Sequence, residues 1–163
     1  MRRFLGAVVV AGLLSVAPAF AHHGGESFHR GSLVVNHLWA HENVRVAHAN
    51  AVYLTITNEG TEPDRLIAIE GDFFTSAELQ APVLDEDGAL KTASLTAIEI
   101  APGQSLTFQP GGVQILLVGL QQTFLKGDHF HLVLVFEKAG RLEVEVEVEG
   151  RDHDHHHSDA LGS

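Results

Sequence analysis

The sequence predicts an all-β protein, and three features of residues 32–150 support this. Short runs of apolar or alternating apolar and polar residues follow one another along the chain. Clusters of turn-forming residues separate these runs. About nine such runs within about 120 residues are typical of a two-sheet sandwich or a Greek-key barrel.

The strand predictions follow from period-two alternation between turn signals. In chain order the predicted strands are 32–39, 51–58, 64–70, 76–84, 95–100, 105–109, 113–119, 129–137 and 141–149. Between them, "NEGTEPD" at 58–64, "DEDG" at 85–88, "APG" at 101–103 and "QPGG" at 109–112 supply turns. There is no internal repeat and no sign of a second domain.

The last predicted strand, "RLEVEVEVE", alternates throughout. Its leucine and valines are expected to face the core, and its four glutamates to face water. A row of like charges could attract cations, but a solvated face that discourages edge-to-edge aggregation is the simpler interpretation.

The first 21 residues have the three parts of a secretory signal peptide. Arg2 and Arg3 come first, residues 4–17 are apolar, and "PAFA" at 18–21 ends on small residues. Cleavage after Ala21 is favoured over a transmembrane anchor, because glycines and Pro18 interrupt the apolar run. We therefore expect a periplasmic protein without a membrane span, and the absence of cysteine excludes a lipoprotein anchor.

This prediction divides the chain into four segments. Residues 1–21 are the signal peptide and 22–31 a flexible, histidine-containing N-terminus; 32–150 form the β-sandwich domain, and 151–163 a tail rich in His and Asp. Cleavage removes two arginines, so the formal charge changes from -11 to -13. Such a charge argues against nucleic acid as a partner and is compatible with binding cations.

Cleavage would also remove all sulfur from the protein. The chain has no Cys, and its one Met is Met1. Any metal must therefore bind nitrogen or oxygen ligands. All 12 histidines lie after residue 21.

Several segments together resemble the periplasmic copper chaperone family PCuAC. They are "VVNHLWAH", "AVYLTITNEGTEPDRLIAI", "IEIAPGQSLTFQPGGVQILLVGLQQTFLKGDHFHLVLVFEKAG" and the closing valine-rich strand, and they extend from about residue 31 to 148. The resemblance implies a cupredoxin-like Greek-key β-sandwich. It also implies copper, chiefly Cu(I), carried in the periplasm toward copper enzymes or their assembly factors.

The copper ligands of that family are absent from this chain. The family pattern His…Met…His-x-Met aligns with Gln80, Thr92, Gln114 and Leu116. Cu(I) selects soft thioether sulfur, which none of these side chains offers. The resemblance therefore predicts the fold but not the usual copper site.

A different copper site is predicted at the new N-terminus. After cleavage, His22 has a free α-amine and an imidazole that can chelate one metal together. A further imidazole completes three nitrogens in a T shape, the histidine brace, which suits Cu(II). An α-amine of pKa about 7.7–8.0 loses its proton to a metal near neutral pH.

Two histidines are candidate partners, His41 and His48, at the ends of "HENVRVAH" between the first two predicted strands. His37 is expected on the strand face that carries Leu33, Val35 and Trp39, as a hydrogen-bonded structural residue. His23, in the flexible N-terminus, is a weaker secondary ligand.

Further secondary ligands lie later in the chain. His129 and His131 share one face of a strand and are expected at the surface, where an i, i+2 pair can chelate a metal. In the tail, His and Asp alternate closely and should bind Cu(II), Zn(II) or Ni(II) loosely, through His153, His155, His156 and His157.

These observations predict a periplasmic Cu(II) chaperone or carrier that uses histidine nitrogens. The alternative is a metal-free periplasmic adaptor for copper-enzyme assembly that kept the scaffold. The usual hydrolase, zinc-protease and phosphate-loop motifs are absent, so we do not expect an enzyme.

Overall fold

A computed structural model describes residues 26–43 and 48–151. The described residues form eleven strands and no helix, so none of them lies in a helix that could cross a membrane. The strands are β1 (Phe28–Arg30), β2 (Leu33–His41), β3 (Ala49–Asn58), β4 (Asp64–Glu70), β5 (Ser76–Leu84), β6 (Leu90–Leu95), β7 (Ile98–Ile100), β8 (Ser105–Phe108), β9 (Gln114–Val118), β10 (His129–Phe136) and β11 (Gly140–Glu149). The predicted all-β class is confirmed.

Nine of the strands lie on one continuous hydrogen-bonded path, in the order β6-β5-β9-β3-β2-β11-β10-β4-β7. β1 pairs with β2, and β8 pairs with β3. All pairs are antiparallel except β11 with β2. The path also folds back on itself, since β4 contacts β5 and β7 contacts β3. The sheet therefore closes over one apolar core in the cupredoxin-like manner.

The core has the alternation that the sequence predicts. In β11, Leu142, Val144, Val146 and Val148 are buried, and the intervening glutamates point outward. In β10, the buried residues are Phe130, Leu132, Leu134 and Phe136. One side of each strand thus removes apolar area from water, which is the main stabilising term of the fold.

The turn at residues 58–64 is held by two buried polar side chains. Asn58 donates through Nδ2 to the carbonyl oxygens of Glu62 at 2.8 Å and Ile100 at 3.0 Å. Asp64 accepts the backbone N–H groups of Arg65, Lys138 and Ala139 at 2.7–2.9 Å. The carboxylate of Asp64 therefore joins the start of β4 to the turn between β10 and β11.

Two strands were not predicted from the sequence. β1 adds Phe28–Arg30 to the edge of β2, and β6 returns beside β5 after a turn at residues 85–89. Five of the six residues of β6 are exposed, so they show no apolar alternation. The strand predicted at 95–100 is in fact the end of β6 followed by the short β7.

A β-bulge divides β2 and changes which residues face the core. The pairing with β3 shifts between Asn36 and Trp39, and His37 has a φ of 52°. As a result Leu38 and Ala40 are buried while His37 is exposed. The prediction that His37 and Trp39 share the face of Leu33 was wrong, because it assumed uninterrupted alternation.

Candidate metal site

The positions aligned with the family's copper ligands lie close together on neighbouring strands. Gln80 of β5 is paired with Gln114 of β9, and the Nε2 of Gln114 donates to the Oε1 of Gln80 at 3.1 Å. Leu116 is paired with Glu78 on the same two strands. Thr92 lies on β6, opposite Pro82. The four aligned positions therefore lie in one region of the outer face of the sheet.

Polar side chains in this region satisfy one another. The Oε2 of Glu78 accepts hydrogen bonds from the Nε2 of Gln80 and from the Oγ of Ser94, both at 3.1 Å. With the bond between Gln80 and Gln114, they form a continuous network from β9 to β6. Oxygen and amide groups of this kind are poor Cu(I) ligands. The network therefore replaces the family's site with hydrogen bonds.

His41 ends β2 on the same outer face. The bulge turns Trp39 and His41 away from the core, and their ring centroids are 5.0 Å apart in an edge-to-face arrangement. The Nδ1 of His41 is buried and has no hydrogen-bond partner among the described residues. An imidazole nitrogen without a partner is an unusual state for a half-buried histidine. It leaves His41 with an unused donor or acceptor beside two aromatic rings.

Tyr53 completes this aromatic cluster. Its ring centroid is 4.4 Å from that of Trp39 and 6.3 Å from that of His41. Burial raises the pKa of the Tyr53 hydroxyl above its ordinary value. This contact is not evident from the sequence, because only the shifted register beyond the bulge places Trp39 opposite Tyr53.

The surroundings of His41 are acidic. β11 pairs Glu149 with His41 and Glu147 with Trp39. Glu42 follows directly and donates its backbone N–H to the carbonyl oxygen of Glu149 at 2.8 Å. Acidic residues thus flank His41 along the chain and across the strand pair, and their negative charge favours a cation at this end of the sheet.

His48 lies in a different environment. It is exposed just before β3, and its carbonyl oxygen accepts the N–H of Gly119 at 2.7 Å. The pairing of Ala40 with Val52 places Ala51 opposite His41. His48 lies three positions before Ala51 and outside β3, about 10 Å along the chain from the position opposite His41. The described residues therefore do not bring the two candidate partners together.

His129 and His131 are exposed on β10, as predicted. Both approach one carboxylate across the strand pair: the Nδ1 of His129 is 3.4 Å from the Oε1 of Glu145, and the Nε2 of His131 is 3.6 Å from its Oε2. The Nδ1 of His131 is also 3.8 Å from Glu143. Both histidines thus face glutamates of β11 on a solvated face.

Within residues 26–43 and 48–151, no group of three or more His, Asp or Glu side chains is arranged to hold a metal ion. The remaining predicted ligands lie outside the described residues; they are His22, His23, His153, His155, His156 and His157. The brace at His22 therefore stays a prediction, and only its partner candidates can be placed.

A family model with the description "Putative lipoprotein LpqE-like" matches residues 33–148. The chain belongs to the LpqE-like family. No curated protein matches it. The description refers to lipoproteins, whereas the sequence of this LpqE-like chain contains no cysteine.

Solved structures confirm the resemblance to PCuAC domains. The copper-bound PCuAC domain from PmoF2 is 25% identical, with a TM-score of 0.67 over 77% of this chain and 98% of that one. The apo PCuAC domain from PmoF1 is also 25% identical, with a TM-score of 0.67 over 77% and 99%. The Cu(I) form of DR1885 from Deinococcus radiodurans, 22% identical with a TM-score of 0.53 over 69% and 74%, shares the fold. The LpqE-like chain therefore has a PCuAC-type fold without the aligned ligands.

Proposed function

We propose that this LpqE-like protein is a periplasmic Cu(II) carrier whose site combines His22 with His41. Copper is supported by the copper-bound PCuAC domain of similar fold. Nitrogen ligands are supported by the absence of Cys and of any Met beyond Met1. In this proposal the protein binds and transfers the ion, and catalyses no reaction.

The direction of β1 is the observation that carries the proposal. β1 pairs antiparallel with β2, with Phe28 opposite Val35 and Arg30 opposite Leu33. The chain before Phe28 therefore leaves β1 in the direction in which β2 runs toward His41. His22 lies six positions before Phe28, and an extended chain of six residues spans about 20 Å. His41 lies six positions after Val35, so His22 can reach His41.

The state of His41 supports its choice over His48. Its Nδ1 is buried without a partner among the described residues, whereas His48 is exposed and lies outside β3. β11 occupies the edge of β2 from Trp39 onward. The proposal therefore places His22 over the outer face, beside the aromatic cluster and the paired residues of β11, Glu147 and Glu149.

The test compares Cu(II) affinity for three forms of the mature protein, each lacking residues 152–163 so that weak tail sites do not interfere. The first begins at His22, the second has one Gly before His22, and the third carries His41→Ala. An added residue converts the α-amine into an amide, which holds its proton tightly. We expect the second and third forms to lose at least about 100-fold in affinity, equivalent to about 2.7 kcal/mol.

His48→Ala is the matched control and should change the affinity less than about threefold, which is under 1 kcal/mol. Electron paramagnetic resonance should show three nitrogen ligands in the first form only. Tight binding by the Gly-extended protein would refute the brace. A loss with His48→Ala but not with His41→Ala would transfer the partner role to His48.

A metal-free adaptor is the second candidate, favoured by the hydrogen-bond network that joins Glu78, Gln80, Ser94 and Gln114. A scaffold protein needs no ligand, and this network closes the aligned copper position. If the protein beginning at His22 retains no Cu(II) against a weak chelator such as glycine, the adaptor is the correct function.

Export is also part of the proposal and has its own test. N-terminal sequencing of protein recovered from the periplasm should begin at His22. A first residue other than His22 would remove the chelating pair of α-amine and imidazole, even if the fold were unchanged.

A further inference from the structure

The hairpin formed by β5 and β6 exposes much of the apolar surface of the described chain. Six large apolar side chains are exposed among the described residues, and four lie on this hairpin. Leu84 and Leu90 are 70% and 71% exposed and lie directly opposite each other beside the turn. Val83 and Leu95 are also exposed, on the opposite face of the hairpin. The adjacent Leu84 and Leu90 form an exposed apolar surface of the kind that contacts another molecule.

β6 also ends the hydrogen-bonded path of strands. Among the described strands it pairs only with β5, which leaves one edge of backbone N–H and C=O groups open. The strand contains no Pro, and its single Lys91 is neutralised by Asp85 at 2.6 Å. The opposite end of the path is protected, since β7 has only three residues and its two isoleucines are buried. Proteins normally protect long edges, so the open edge of β6 is unusual.

The charge of the hairpin selects the kind of partner. The turn has three consecutive acids, Asp85, Glu86 and Asp87, and the whole chain has a formal charge of -11. Asp85 is occupied, because it accepts the N–H groups of Asp87 and Ala89 and pairs with Lys91. Glu86 and Asp87 therefore present free negative charge beside Leu84 and Leu90. A second copy of this acidic chain would be repelled, and a basic segment would be attracted.

We propose that β6 is the docking edge for an extended segment of a partner protein that alternates basic and apolar residues. The segment adds to the sheet as a further strand, as in other cases of β-augmentation. Main-chain hydrogen bonds to β6 give the affinity. Leu84 and Leu90, which lie on one face of the hairpin, contact its apolar side chains, and the acidic turn contacts its basic ones. This surface lies apart from His41, so the proposal holds whether or not the protein binds copper.

A nine-residue peptide of alternating Lys and Val is the probe, and the same peptide with Glu in place of Lys is its control. Binding to the protein beginning at His22 is measured from amide chemical shifts in NMR. We expect the basic peptide to shift amides of β5 and β6, and the acidic peptide to bind at least tenfold more weakly. Added salt should weaken the binding of the basic peptide, because it screens the attraction to the acidic turn.

Two double variants test the contacts. Leu84→Ser with Leu90→Ser should weaken binding about tenfold, in line with the loss of buried leucine surface. Glu86→Lys with Asp87→Lys should reverse the preference, so that the acidic peptide binds more tightly. All four side chains are exposed, so the fold should survive. Two controls lie outside the hairpin and should change affinity less than twofold. Leu125→Ser is the control for the leucines, and Glu59→Lys with Glu99→Lys is the control for the acids.

Three results would overturn the proposal. The first is a set of shifts centred outside β5 and β6. The second is equal binding of the basic and acidic peptides. The third is a dimer in light scattering that Leu84→Ser with Leu90→Ser dissociates, which would assign the edge to a second copy of the chain.

Discussion

The bulge in β2 can be tested through the backbone conformation of His37. Its φ of 52° is the only positive value for a non-glycine residue among the described positions. A left-handed conformation costs an L-residue about 1–2 kcal/mol, and glycine avoids that cost. Glycine loses about 0.5–1 kcal/mol more on folding through its greater backbone freedom. His37→Gly should therefore stabilise the protein by about 0.5–1 kcal/mol.

The matched variant is His37→Val, because a β-branched residue is a particularly poor fit for this conformation. We expect it to destabilise the fold by about 1–2 kcal/mol relative to His37, within the range known for strained backbone positions. Urea denaturation of the metal-free protein measures both changes. The side chain of His37 is exposed, so lost packing cannot explain the difference. Destabilisation by His37→Gly equal to that by His37→Val would refute the left-handed conformation.

Three further predictions follow from the described contacts. A quadruple variant should contain one Cu(I) site that competes with a strong Cu(I) chelator; its substitutions are Gln80→His, Thr92→Met, Gln114→His and Leu116→Met. The unmodified protein should not compete. Tight Cu(I) binding by the unmodified protein would contradict the argument from missing thioethers. Asp64→Ala leaves three backbone N–H groups without their acceptor, so chemical denaturation should show a loss of about 2–4 kcal/mol. The hydrogen bond and ion pair with Lys91 lower the pKa of Asp85, so its contribution to stability is present above the ordinary Asp range and is lost as pH falls through the lowered value. Lys91→Ala should raise the Asp85 pKa in carboxyl NMR titrations, and an unchanged value would show that the pair is not formed.

Strands with one buried and one exposed face could be predicted from the sequence. β10 and β11 begin and end close to the predicted residues, because their apolar residues alternate without interruption. β6 could not be predicted in this way, since neither of its faces is packed against the core. Its position depends on hydrogen bonds to β5, which leave no apolar pattern in the sequence.

The candidate site shows the same limit. The sequence identified His41 by type and spacing, but it placed Trp39 on the core side. A one-residue bulge reverses the faces of everything that follows in the strand. The contacts of His41 with Trp39 and Tyr53 depend on that reversal. Residue types alone carry little information about a bulge, because "VVNHLWAH" is compatible with both registers.

The positions aligned with the family's copper ligands lie on the same face of the sheet as His41. Ala51 of β3 is paired with Leu116 on one side and lies opposite His41 on the other. With about 4.8 Å between strands, His41 is about 10 Å from Leu116 across the same face. The site proposed at His41 is therefore at the neighbouring end of the face that carries the aligned positions. The bulge at His37 makes this possible, because without it His41 would point into the core.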